Sequence, residues 1–303
     1  MASQAQRLAH TSPLERLLER FERQRPLRAG SLIVTVFGDA IVPRGGTLWL
    51  GSLLEVMGLF GVEGGLVRTA LSRLVQENWF ERTRAGKNSF YRLSARGRAK
   101  FADATARIYH AGEPAWDGTL RLALLASLPP ADRLAVRDRL ALEGWGQTAP
   151  HVMLRPVAGG EALPSDIGDV IWLASRIEGN ADAARRIGGS CWQLEPMAEA
   201  YARFIDTFGA LGTRAGAGWD EAGAIRLRLL LIHEYRRIIL RDPLLPRQML
   251  PRDWPGFEAR RLCRQLYRLT LVRSEAWLDA HARALDGPLP PPDDAFKARF
   301  GSS

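Results

Sequence analysis

Apolar residues recur along this chain mostly at helical spacing, and the points where that spacing lapses divide it into elements. Leu14, Leu17, Leu18 and Phe21 fall on one side of a charged helix expected over 13–28, with Pro26 ending it. The run from Ser31 to Ile41 is apolar throughout and fits strand or buried helix, and the elements after it favour helix. Pro43-Arg44-Gly45-Gly46 is a turn, and Thr47 is expected to cap a helix through Met57 with Trp49, Leu50, Leu53, Leu54 and Met57 on its apolar face. Gly58 to Gly61 interrupts it. A second helix should run from about Glu63 to Asn78, with Val67, Ala70, Leu71 and Leu74 at i, i+3, i+4 and i+7 facing a core. Gly65, Arg68, Thr69, Ser72, Arg73 and Gln76 fall on its other side. Strand-like runs at 80–84 and 89–93, joined by Ala85-Gly86-Lys87-Asn88, then read as a hairpin with a basic tip, and Ser94 caps a basic segment from Ala95 to Lys100.

Two helices around a glycine turn, followed by a basic hairpin, form the order of a winged helix-turn-helix, so 28–110 is expected to bind double-stranded DNA. Past a loose stretch around Gly112 to Gly118 the pattern changes. A strand is expected over 120–128, a helix over 131–145, strands over 151–157 and 170–177 and a short helix over 181–187. That succession suggests a ferredoxin-like sandwich over 115–194. From Glu195 the chain reads as helical over 195–211, 220–240 and 255–284, giving a helical C-terminal domain at 195–285. A proline-rich connector lies within it, and the proline-rich tail Gly287 to Asp294 is expected to be flexible. The fold class is therefore α+β.

Charge sharpens this picture. Residues 1–100 carry 16 Lys+Arg against 8 Asp+Glu, and the remaining residues 26 against 25. The basic excess sits on the segment with the helix-turn-helix pattern, which suits a polyanionic partner. Arg68, Thr69, Ser72 and Arg73 lie on the expected recognition helix, where arginine can pair with a guanine edge and hydroxyls suit phosphate or mixed contacts. Arg84 and Lys87, near the hairpin tip, suit backbone phosphates.

Catalytic and metal chemistry find little support. Gly46 to Ser52 has the outline of a phosphate loop but lacks its lysine, and His233-Glu234-Tyr235-Arg236-Arg237 has Arg237 where a zinc helix needs its second histidine. Gly188-Gly189-Ser190-Cys191-Trp192 lacks the last glycine of a nucleophile elbow. The five histidines are scattered, and Cys191 and Cys263 suit neither a disulfide framework nor a metal site. No catalytic residue, metal or cofactor is expected, and no uncharged apolar run is long enough to cross a membrane. The expected location is the cytoplasm.

The run Gly58-Leu-Phe-Gly-Val-Glu-Gly-Gly-Leu-Val-Arg-Thr-Ala-Leu-Ser-Arg-Leu, followed by Trp79, Gly86 and Ser89-Phe-Tyr-Arg-Leu, resembles the PaaX family of repressors of phenylacetic acid degradation. Asp117-Gly-Thr-Leu-Arg-Leu is similar to the start of that family's middle domain, which is itself similar to the Cas2 ferredoxin-like fold. His233-Glu-Tyr-Arg-Arg, Arg241-Asp-Pro-Leu-Leu-Pro and Asp253-Trp-Pro-Gly look like its helical C-terminal domain. The resemblance covers about residues 28–285. It implies a homodimeric repressor of aromatic-acid catabolism, released by an aryl-CoA thioester such as phenylacetyl-CoA; because one winged helix reads few base pairs, the operator is expected to be an inverted repeat. His233, Arg236 and Arg237, on one expected helix, are candidates for binding that effector. The Cas2 likeness also raises a metal-dependent nuclease as the alternative. Against it, the strand at 120–128 ends in Ser127-Leu128-Pro129, without the metal-binding aspartate such nucleases place there.

Overall fold

The computed structural model describes residues 13–23, 28–110, 112, 116–157, 163–164, 167–178, 181–212 and 219–301. The first helix among the described residues is α1 (Pro13–Arg23), and the expected stop at Pro26 lies outside them. Residues 31–41 are helical, as the neighbouring elements suggested. Helix α2 (Ala29–Val36) runs into a π-helical turn, Phe37–Ile41, and then a 3₁₀ turn, Val42–Arg44. Gly45 and Gly46 have φ of 83° and 74°, a conformation that favours glycine.

Thr47 does not cap a helix. Thr47–Trp49 is strand β1, and helix α3 (Leu50–Gly58) starts after Trp49, whose side chain makes no capping bond. The cause is long-range: Thr47, Leu48 and Trp49 pair antiparallel with Arg92, Tyr91 and Phe90. Helix α4 (Gly64–Gln76) follows, buries Val67, Leu71 and Leu74, and ends in a Schellman motif. There Asn78 takes φ 57° while the Trp79 N–H bonds the Leu74 carbonyl. Strands β2 (Phe80–Ala85) and β3 (Asn88–Leu93) form the hairpin with Ala85 opposite Asn88, so its tip is Gly86-Lys87. The three-stranded sheet has the order β1-β3-β2. Helix α5 (Ala95–Ile108) begins at Ser94, whose hydroxyl accepts from the Gly97 amide at 3.0 Å.

Strand β4 (Thr119–Leu124) is shorter than expected, because Leu125–Ser127 turns into a 3₁₀ helix. Helix α6 (Pro130–Leu142) ends before Trp145 in a second Schellman motif with Gly144 at φ 89°. Strand β5 (Gly146–Ala149) was not foreseen: Gly-Gln-Thr-Ala lacks apolar alternation because this edge strand is mostly exposed. Gly146 lies so close to the Trp192 indole that an added Cβ would come within 2.6 Å of it. Strands β6 (Val152–Pro156) and β7 (Ile171–Arg176) complete an antiparallel sheet of order β5-β6-β4-β7. Ala123, Met153, Leu140, Trp145 and Val170 form the core between sheet and helix. Helix α7 (Ala181–Cys191) follows, with Gly188 packed against the Met249 carbonyl where no side chain fits.

Helices α8 (Leu194–Gly212), α9 (Glu221–Ile239) and α10 (Pro255–His281) supply the expected helical C-terminal part. Helix α9 is buried nearly all round, from Ala224 to Ile239, as a central helix must be. The tail is ordered rather than flexible. Strands β8 (Arg283–Ala284) and β9 (Gly287–Pro288) pair, and α11 (Asp294–Lys297) follows. Leu289, Phe296 and Phe300 are buried, and the Asp293 amide bonds the Pro43 carbonyl. The prolines keep this segment extended while its carbonyls remain available to Arg44, which donates to Pro290 at 2.8 Å.

The domains expected at 28–110, 115–194 and 195–285 divide the sequence; packing groups the chain differently. One compact unit comprises the described residues of Met1–Ala111, Arg203–Leu240 and Ala259–Ser303. The other comprises those of Gly112–Ala202 and Arg241–Glu258.

Candidate nucleic-acid interface

Helix α4 is two-sided because its sequence is. With Val67, Leu71 and Leu74 inside, Gly65, Arg68, Thr69, Ser72, Arg73 and Gln76 are exposed. Thr69 donates its hydroxyl to the Gly65 carbonyl at 3.0 Å, one turn back. Arg73 donates to Glu77 at 2.6 Å, which occupies one edge of its guanidinium. Arg68 has no ion-pair partner among the described residues, and neither do Arg84 and Lys87. The six positions nominated from the sequence therefore lie on two neighbouring elements, four on α4 and two on the hairpin, all facing solvent.

The hairpin adds what the sequence reading left out. From Arg82 to Ala85 both faces of β2 are exposed, so the hairpin projects beyond its sheet. Arg82 lies on the same face as Arg84 and donates to the Ser89 hydroxyl at 3.0 Å, while Arg92 on the other face pairs with Glu81 at 2.9 Å. Arg96 is exposed in the first turn of α5. The alternation of Arg82 and Arg84 along one strand was the available signal for Arg82.

His233, Arg236 and Arg237 share helix α9, with His233 and Arg236 turned toward α2 and Arg237 toward solvent. His233 is buried, 2.9 Å from the Thr35 hydroxyl and edge-on to Phe21. Burial first, then the positive charges of Arg236 and Arg237, push its pKa down to about 3, so the ring is neutral. Arg236 donates to the Ser31 carbonyl at 2.8 Å, and burial pulls its pKa down to about 10. Arg237 alone is exposed, paired with Glu234 at 3.2 Å.

A buried charge cluster at the π-turn had no signature in the sequence. Asp39 Oδ2 accepts from Arg228 Nε at 2.6 Å, and Oδ1 accepts from Tyr109 at 2.6 Å and Tyr267 at 3.0 Å. Arg299 reaches the same carboxylate at 3.2 Å and the Gly38 carbonyl at 3.1 Å. The side chains of Asp39 and Arg228 are both 0% exposed. Burial works against the Arg228 charge, but Asp39, Tyr267 and Glu275 more than offset it and raise its pKa. Burial likewise pushes the Tyr267 hydroxyl up to about 12, so it stays protonated and donates. Among the described residues no three His, Cys, Asp or Glu side chains gather as a metal site, and no helix is long and apolar enough to cross a membrane.

The class of the protein follows from comparison with known families. Residues 28–97 match the model of the PaaX-like proteins and residues 192–280 that of the PaaX-like C-terminal domain, and the chain belongs to this family. It is 35% identical over 301 residues to the transcriptional repressor PaaX of Escherichia coli strain K12, covering 96% of this chain and 95% of that one. A solved structure, the uncharacterized protein Rv0674 from Mycobacterium tuberculosis, matches with a TM-score of 0.52 and 26% identity over 74% of this chain and 89% of its own.

Proposed function

We propose that this chain is a cytoplasmic, DNA-binding transcriptional repressor of phenylacetate-type catabolic genes. In this reading residues 28–110 contain a winged helix-turn-helix, α4 enters the major groove and the β2–β3 hairpin is the wing. The observation that carries it is the exposed stripe Arg68, Thr69 and Ser72 on a helix whose opposite side is core, next to a projecting basic hairpin. The middle unit's strand order β5-β6-β4-β7 supports a ferredoxin-like, Cas2-like reading, with its second helix after the last strand. One such reader covers few base pairs, so the repressor acts as a homodimer on an inverted repeat. The exposed Ile171 and Leu173 on edge strand β7 are apolar surface that a dimer would bury.

The test is titration of a duplex enriched by the chain from a randomised pool against a scrambled duplex. Arg68→Ala should weaken the enriched duplex by about 1–3 kcal/mol and the scrambled one little. Arg73→Ala should do less, because Glu77 already engages that side chain. Lys87→Ala should weaken both duplexes and flatten the salt dependence. Equal losses on the two duplexes for Arg68→Ala would refute the assignment of α4 as the reader.

An aryl-CoA thioester releases the repressor in this reading, and the exposure of Arg237 supports it as the first of the three nominated residues to test. A hundredfold preference of the effector for the DNA-free form corresponds to about 2.7 kcal/mol of coupling. Phenylacetyl-CoA should raise the mobility of a labelled duplex in anisotropy, whereas phenylacetate and coenzyme A separately should not. No release by the thioester at millimolar concentration would assign this chain a different signal.

A further inference from the structure

We propose that Glu275, together with Asp39 and Arg44, positions the β1–α3–α4 segment against helix α10 and thereby sets the selectivity of DNA recognition. The proposal rests on the DNA-binding reading above and deepens it. It starts from the π-turn at Phe37–Ile41, a local departure from the α-helical pattern that is frequent at functional sites. The carbonyls of Gly38 and Asp39 are taken by arginines far along the chain: Arg299 donates to both, at 3.1 and 2.8 Å, and Arg228 donates to Asp39 at 3.1 Å.

From this turn the charges alternate in sign along a continuous line. Arg299 meets Asp39, Asp39 meets Arg228, and Arg228 donates to Glu275 Oε1 at 2.5 Å. Glu275 Oε2 accepts from Arg44 at 2.9 Å, and Arg44 ends the line on Asp279. Arg44 is 3% exposed and Glu275 18%. Apolar residues of similar volume would hold a core at least as well as such a line. What charged hydrogen bonds add is direction, since each guanidinium fork donates to its carboxylate partner in few orientations.

The direction matters at Arg44, because only Gly45 and Gly46 separate it from β1. A second tie holds the other side of that strand. Ser52, in the first turn of α3, donates to the His281 carbonyl and accepts from the Arg283 amide, both at 3.0 Å. Both ties end on α10 or the residues just after it. The strand that leads into α3 and α4 is thus held on each side by the C-terminal part of the same compact unit.

Glu275→Gln in the full chain tests this, because it removes the shared charge while keeping the side-chain volume. The probes are a duplex of about 30 base pairs, enriched by the unsubstituted chain from a randomised pool, and its scrambled counterpart. Far-UV circular dichroism should be unchanged. Affinity for the enriched duplex should fall about tenfold, equivalent to about 1.4 kcal/mol, with the scrambled duplex held as before. Amide exchange over 47–76 should quicken while 225–239 stays protected, and Asp279→Asn should give the same pattern more weakly. Unchanged exchange over 47–76, or an equal loss on both duplexes, overturns the proposal. If the unsubstituted chain enriches no duplex, the DNA-binding reading fails, and the exchange result still decides whether Glu275 positions the segment.

Discussion

Replacing Asp39 with alanine is expected to cost about 3–5 kcal/mol of folding stability, the range for removing one partner of a buried ion pair. The carboxylate serves two arginines and two tyrosine hydroxyls at once. Without it, Arg228 remains fully buried between Tyr267 and Phe296, with Glu275 as its remaining counter-charge. Arg299 retains carbonyl acceptors but loses its anion. Neither guanidinium can shed its proton at ordinary pH, so the cost is not relieved by neutralisation. Asp39→Asn should recover only part of it, since an amide accepts hydrogen bonds but carries no charge. Urea unfolding at neutral pH measures both variants, and a loss below about 1 kcal/mol for the alanine variant would show that the cluster relaxes without its centre.

Acid should weaken the fold through His233. Its pKa in the folded chain is pushed from 6.5 down to about 3, so the folded protein refuses a proton that the unfolded chain accepts. Above pH 6.5 both states are neutral at this site and the stability is fully present. As pH falls from there toward about 3, proton binding favours the unfolded state, and stability drops by about 1.4 kcal/mol per pH unit. Over two units the loss is about 2–3 kcal/mol. Thr35 can serve the neutral ring through its hydroxyl, but the positive neighbours Arg236 and Arg237 offer nothing to an imidazolium. His233→Gln, whatever its stability at pH 7, should lose this slope between pH 6.5 and 4.5. Equal slopes in the two proteins, read by urea unfolding across that range, would assign the acid sensitivity elsewhere.

The local patterns proved legible where local chemistry decides. The α4 stripe, the Asn78 stop and the Ser94 cap all depend on residues within one or two turns, and the hairpin on a short turn. Thr47 misled because pairing with Arg92, 45 positions further along the chain, outweighed its preference for capping. Strand β5 was hidden because an exposed edge needs no apolar alternation. The tail was misjudged from its prolines, although Leu289, Phe296 and Phe300 were there to be buried. The charge cluster was illegible for a simpler reason. Asp39 and Arg228 stand 189 residues apart, and no spacing rule relates two charges whose meeting depends on the completed packing. The nominated DNA contacts were easier to place, since solvent-facing residues follow from the core stripe on the same helix. The polar run at 233–237 was harder, because His233 turned inward with that core.

The two ends of the compact unit also impose an order on synthesis. Arg299 leaves the ribosome 260 residues after Asp39, so the nascent chain carries this acid long before its last partner exists. Domains generally fold as units when their residues are available, and this one lacks its closing contact until Arg299 is made. A chain cut short by a premature stop would retain every residue of α4 yet lack the arginine that closes the cluster. Such a fragment would present the exposed stripe of α4 without the charge closure that ties Gly38 and Asp39 to Arg299.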